Sequence, residues 1–256
     1  MNPGTLYLIP ATLDDLKTGA VARTEGAPSL LEWSLPAQVR AVAARLTCFG
    51  VENAKSARAF LKLVGTQRPL QELDILEFGH QPDDNALKPL VDKLLRGIDV
   101  GVLSEAGCPG IADPGAQLAR LAHAAGVRVV PLTGPSSILL ALMASGLEGQ
   151  RFAFAGYAPV KSPAREDFIK KLEARSARER ETQIVIETPY RNEVLWAALL
   201  ATLSTKTRLT RAAGLTLPEE TVETRSVTTW RERAGTHHAI DAACGKLPTV
   251  FLFLAG

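Results

Sequence analysis

Along residues 1–133, short apolar runs alternate with stretches whose apolar positions recur at helical spacing. Strands are predicted at Thr5 to Ile9, Thr47 to Glu52, Leu73 to Phe78, Ile98 to Ser104 and Val127 to Leu132. Helices are predicted between them at Ala37 to Leu46, Lys55 to Val64, Lys88 to Arg96 and Ala116 to Ala125, the last two stopped by Gly97 and Gly126. Alternation with short connections implies a parallel sheet covered by helices. Residues 17–35, polar and small around Gly26 and Pro28, are expected to form a loop.

After residue 133 the rhythm changes. Strands are predicted at Phe152 to Tyr157, Gln183 to Glu187, Arg208 to Ala212, Thr221 to Val227 and Val250 to Leu254, with helices at Ile138 to Ser145, Ala164 to Arg180 and Arg191 to Leu203. The threonine-rich run from Leu215 to Thr229 has the β-branched content of a strand pair, which implies a mixed sheet. The pattern therefore predicts an α/β chain of two domains, 1–133 with a parallel sheet and 134–256 with a mixed α+β sheet.

Composition narrows the class. The 256 residues are 46% hydrophobic, enough for a sizeable core, and no apolar run approaches the roughly 18 residues of a membrane span. The start MNPGTLYLIP lacks the basic and long apolar segments of a leader, so a cytoplasmic protein is expected. Cys48, Cys108 and Cys244 do not combine with His80, His123, His237 and His238 at metal-ligand spacing, so no metal site is expected. Lys+Arg and Asp+Glu number 13 and 14 in residues 1–133 and 16 and 13 in 134–256, which sets the halves at −1 and +3. Between Lys161 and Arg180 seven basic residues face four acids, the composition of a solvated helix face or of a polyanion-binding surface.

The densest chemistry lies in SEAGCPGIADPG, residues 104–115, where glycines and prolines separate an apolar run from a helical pattern. Such a unit puts main-chain groups at the carboxyl end of a parallel sheet, where open α/β folds bind ligands. A second loop, TGPSS at 133–137, follows an adjacent strand candidate. Neither a GxGxxG nor a GxxxxGK[ST] motif occurs, and neither loop contains Lys or Arg to neutralise phosphate. A neutral or cationic small ligand held by backbone hydrogen bonds is implied.

The blocks LYLIP, VEN with KSAR, SEAGCPGIADPG, TGPSS, GYAPVKS, ETPYR and KLPTVFLFLAG resemble, in order and spacing, those of the tetrapyrrole methylase superfamily, most closely its ribosomal small-subunit RNA 2′-O-methyltransferase I branch. The resemblance runs from Leu6 to Gly256. It implies two α/β domains with S-adenosylmethionine between them and a homodimeric assembly. By the same resemblance Pro10, Ser104, Glu105, Ala106, Gly107, Pro109, Asp113, Thr133, Gly134, Pro135, Ser136, Ser137, Pro248 and Thr249 are cofactor-binding residues. Glu105 lengthens the family's aspartate by one methylene, and Cys108 stands for a usual threonine. Past Pro10 the branch's Thr-Pro-Ile-Gly-Asn is Ala11, Thr12, Leu13, Asp14, Asp15, and its Ala-Glu-Asp-Thr-Arg is Val51, Glu52, Asn53, Ala54, Lys55.

The implied activity is methyl transfer to RNA, with the ribose 2′-oxygen of small-subunit ribosomal RNA or a related acceptor as target; RNA, not DNA or a membrane, is the expected partner. The rivals are a corrinoid or porphyrinoid C-methyltransferase and a non-catalytic RNA-binding relative. Glu52 and Glu187, at strand ends, are candidate general bases or else partners of Arg58 and Arg191. Lys161 is placed to meet an RNA phosphate or the developing alkoxide, and Arg191 with Tyr190 to orient the acceptor. Arg165, Lys170 and Arg175 are expected to supply phosphate contacts.

Overall fold

In a computed structural model, which describes residues 2–13, 29–234 and 246–256, the chain divides into two compact units, Met1–Ser136 and Ser137–Gly256. The first contains β1 (Thr5–Ile9), α1 (Leu30–Ser34), α2 (Ala37–Arg45), β2 (Cys48–Val51), α3 (Ala54–Val64), β3 (Asp74–Glu77), α4 (Asp84–Leu95), β4 (Val100–Leu103), α5 (Ala116–Ala124) and β5 (Arg128–Pro131). Its five strands are all parallel, in the order β3-β2-β4-β1-β5.

Side chains alternate across these strands, and each face is covered. Ile9, Phe49, Val51 and Leu103 pack with Leu31, Val39, Phe60 and Leu61 of α1, α2 and α3. Leu6, Cys48, Val100 and Val102 pack with Leu87, Leu90, Leu94 and Leu118 of α4 and α5. The chain thus leaves β1 and β2 over one face and β3 and β4 over the other. Where β2 and β4 lie side by side, their connections depart in opposite directions, which opens a crevice at their carboxyl ends.

Two expectations are corrected here. Residues 29–34 of the presumed loop form a capped helical turn, while 17–28 lie outside the described residues. Ser29 Oγ accepts the Glu32 amide at 3.3 Å and Glu32 Oε2 accepts the Ser29 amide at 3.2 Å, a capping box that starts α1. Helix α4 begins at Asp84, four residues before the predicted start, because Asp83 Oδ1 accepts the Ala86 amide at 2.8 Å and the helix accommodates Pro89.

The second unit contains α6 (Ser137–Ser145), β6 (Phe152–Tyr157), α7 (Ser162–Glu179), β7 (Thr182–Glu187), α8 (Asn192–Thr202), β8 (Arg208–Ala213), β9 (Thr221–Ser226), α9 (Val227–Ala234) and β10 (Thr249–Leu254). Its sheet, β6-β7-β10-β8-β9, is parallel only between β6 and β7, so it is mixed. The core is aromatic, with Trp196 edge-on to Trp230 at 4.9 Å and against Phe251 at 6.0 Å. The threonine-rich run supplies one strand, not two: Ser226 Oγ accepts the Thr229 amide at 3.2 Å and turns the chain into α9. Among the described residues no helix is long and apolar enough to cross a membrane.

Candidate functional site

Three loops at the carboxyl edge of the first sheet are fastened through their main chains. Ala11, after β1, and Gly107, after β4, exchange backbone hydrogen bonds of 2.9 and 3.2 Å. The Ser104 hydroxyl donates to the Gly107 carbonyl at 3.0 Å, and the Cys108 thiol approaches the Pro135 carbonyl, after β5, at 3.4 Å. Gly107 has φ +71°, and a Cβ there would lie 3.3 Å from Leu13 and 3.5 Å from the Pro135 oxygen. Gly134 answers a different need, since its Cβ would stand 2.2 Å from that of Pro10. That glycine lets Pro10 pack against the loop after β5.

Glu105, Ala106 and Thr133 are exposed on this rim, while Pro10, Ser104, Pro109, Pro135 and Ser136 are buried beneath it and Asp113 and Ser137 are half-buried. At the β2–β4 crevice the acidic residues converge. Asn53 Oδ1 caps α3 through the amides of Lys55 and Ser56 at 2.9 and 3.2 Å, a role that either an asparagine or an aspartate side chain can fill. Ser56 Oγ then donates to Glu105 Oε1 at 2.5 Å, joining the first turn of α3 to the loop after β4. Glu52 does not pair with Arg58, which donates instead to the Ala54 carbonyl at 3.3 Å; its partner is His80 Nδ1, at 2.7 Å.

Electrostatics follow from this crowding. Burial raises the Glu52 carboxyl above its ordinary range, partly offset by His80. Asp113 is pushed up to about 7, first by burial and then by the charges of Glu52 and Glu105. Burial also raises the Cys108 thiol. Two buried oxygens at this edge, Thr12 Oγ1 and Glu52 Oε1, have no hydrogen-bond partner among the described residues. Beside the crevice a pocket of about 450 Å³ is lined by His80, Pro82, Asp113, Gly115 and Gln117 among others. Among the described residues no group of His, Cys, Asp and Glu is arranged to hold a metal ion.

In the second unit the predicted residues sort differently. Glu187, buried, and Arg191, half-buried, form an ion pair at 2.5 Å, and the other Glu187 oxygen accepts the Thr188 amide at 2.8 Å. With both oxygens engaged, Glu187 holds Arg191, which donates to the Ala158 carbonyl at 3.0 Å. Arg165, expected on the surface, is 8% exposed and donates to the Val160 carbonyl at 2.7 Å. Arg175 is paired with Glu181 at 2.8 Å. The arginines at 165 and 191 thus grip the segment that delivers Lys161, exposed at the N-cap of α7. Lys170 and Tyr190 are exposed. Pro248 precedes β10, and Thr249 Oγ1 accepts from Asn192 Nδ2 at 3.1 Å. Sequence reasoning missed His80, whose one available signal was its place just past the strand predicted at Leu73 to Phe78.

The model of the Tetrapyrrole (Corrin/Porphyrin) Methylases matches residues 34–229. The chain is 32% identical over 190 residues to Ribosomal RNA small subunit methyltransferase I of Xylella fastidiosa, covering 74% of this chain and 60% of that protein. To the protein of the same name from Vibrio cholerae it is 42% identical over 134 residues, 52% of this chain and 45% of the other. The chain therefore spans less than two thirds of these relatives' length. Among solved structures, the methyltransferase CobJ aligns over 100% of this chain and 95% of its own with TM-score 0.59 and 16% identity. Diphthine synthase aligns over 98% and 90%, with TM-score 0.60 and 15% identity. These two likenesses concern the fold, whereas the family model and the closer relatives settle membership: the chain belongs to the tetrapyrrole methylase family, on the side of its ribosomal RNA small subunit methyltransferase I members.

Proposed function

We propose that the chain is an S-adenosylmethionine-dependent methyltransferase acting on RNA, with the ribose 2′-oxygen of small-subunit ribosomal RNA as the acceptor. The observation that carries the reading is the rim formed by Ala11, Gly107 and Pro135: main-chain groups joined at the strand ends, with the carboxyls of Glu52, Glu105 and Asp113 close enough to one another to interact. A sulfonium with an ammonium group fits such an acidic rim. Ser104 to Gly107, Pro109, Asp113 and Thr133 to Ser137 would hold the cofactor, with Pro10 as packing beneath Gly134. The roles of Pro248 and Thr249 rest on the resemblance alone. The cofactor supplies an electrophilic methyl group, and the protein's task is to hold an acceptor oxygen in line with it and remove a proton.

In this reading Lys161 meets the acceptor's phosphate or developing charge, and Glu187 and Arg191 position it through the segment from Ala158 to Lys161. The homodimer is also part of the proposal, by analogy with the family. The reading predicts calorimetric binding of S-adenosylmethionine, weakened at least tenfold by Gly107→Val, and tritium transfer to small-subunit RNA from a strain deleted for the gene. Cofactor binding without label in any RNA would point to a corrinoid or porphyrinoid acceptor. Absence of cofactor binding would leave the non-catalytic RNA-binding relative.

A further inference from the structure

The Glu52 carboxylate is 3% exposed, whereas the His80 ring hydrogen-bonded to it is 82% exposed and forms one wall of the pocket beside Asp113 and Gly115. With Glu52 ionised the carboxylate only accepts, and the 2.7 Å contact then selects the neutral tautomer with the proton on His80 Nδ1 and the lone pair on Nε2. An exposed imidazole anchored at one nitrogen by a buried carboxylate, on the wall of a pocket, is the arrangement of a proton acceptor. The ionisable groups around it are Glu52 from the end of β2 and Asp113 from the loop after β4, with Glu105 of that loop beside Glu52. All three are carboxylic acids.

We propose that His80 takes the proton from the acceptor hydroxyl during methyl transfer, with Glu52 as the positioning residue behind it. This rests on the methyltransferase reading above. As the oxygen–methyl bond forms, the methyl–sulfur bond breaks and its electron pair stays on sulfur. The hydroxyl proton passes to His80 Nε2 and leaves later to water. One positive charge disappears at sulfur and one appears on the imidazole, against the Glu52 carboxylate.

The test compares wild type with His80→Ala, His80→Gln and Glu52→Gln in tritiated methyl transfer to small-subunit RNA from about pH 5.5 to 9. Cofactor and RNA affinities are measured alongside, and the His80 tautomer is read by nitrogen NMR in the cofactor-free protein. Both His80 variants should lose about 10²- to 10³-fold in kcat and the acid limb of the pH profile, with both affinities within about twofold of wild type. Glu52→Gln should lose less, move the acid limb to lower pH and mix the two His80 tautomers, which a merely structural glutamate would not do. Label from His80→Ala at the wild-type rate with the wild-type acid limb, or a wild-type ring protonated at Nε2, overturns the assignment alone. A wild-type protein that binds cofactor and labels no RNA overturns the assignment and the reading beneath it together.

Discussion

Asp113 offers the sharpest check on the electrostatics of the crevice. Its carboxyl is pushed up to about 7 in the folded protein from an ordinary value of 3.8. A raised acid binds more protons in the native than in the unfolded state between those values, so stability falls as pH rises from the lower to the upper. Integrated from pH 5 to pH 8, the loss is about 2.5 kcal/mol, and solvent on the open side of the half-buried residue reduces it to about 1 kcal/mol. Asp113→Asn carries no such proton. Its stability relative to wild type should therefore improve by about 1 kcal/mol on going from pH 5 to pH 8, or about 2–4 °C in melting temperature for a chain of this size. Thermal unfolding of both cofactor-free proteins, followed by circular dichroism at the two pH values, gives the comparison. An offset between variant and wild type that is equal at both pH values would show that Asp113 titrates as an ordinary carboxyl and that the crevice is wetter and less acidic than its geometry implies.

Other consequences follow from the packing. Gly134→Ala drives a Cβ to within 2.2 Å of Pro10 and should cost about 1–3 kcal/mol in urea unfolding, whereas an unchanged midpoint would mean the rim yields freely. Arg191→Ala leaves Glu187 buried without its cation and should destabilise by about 3 kcal/mol, with Glu187→Gln in the same chain restoring part of the loss; no restoration would remove the ion pair as the cause. In filter binding, Lys161→Gln should reduce the salt slope for single-stranded RNA by about 0.7, while Arg165→Ala should lower the melting temperature and leave the slope unchanged.

What the sequence made legible was largely local. The strand preceding 104–115 and the helix following it are both read from periodicity, and the glycines at 107, 110 and 115 all take positive φ in the loop between. Glu52 was readable as the last polar residue of an apolar strand. His80 was not, because its meaning lies in a contact across 28 positions between the ends of two neighbouring strands. Arg165 was misread by counting charges without following helical period: the buried residues of α7 are Arg165, Ile169, Leu172 and Ser176, one stripe at spacings of four, three and four. The turn at α1 was missed although Ser29, Leu30, Leu31, Glu32 spells the capping signal, since the surrounding polar composition dominated the reading.

The pairing of Ala11 with Gly107 involves only peptide groups. A junction of that kind is indifferent to which side chain follows the proline, provided the chain can run extended for one residue. The stretch from Ala11 to Asp15 shares none of the branch's usual Thr-Pro-Ile-Gly-Asn, yet Ala11 still docks onto the glycine loop. Side chains after the first strand are thereby free to change while the rim keeps its shape. Divergence of specificity in such a protein can be concentrated in a segment whose main chain carries the architecture and whose side chains do not.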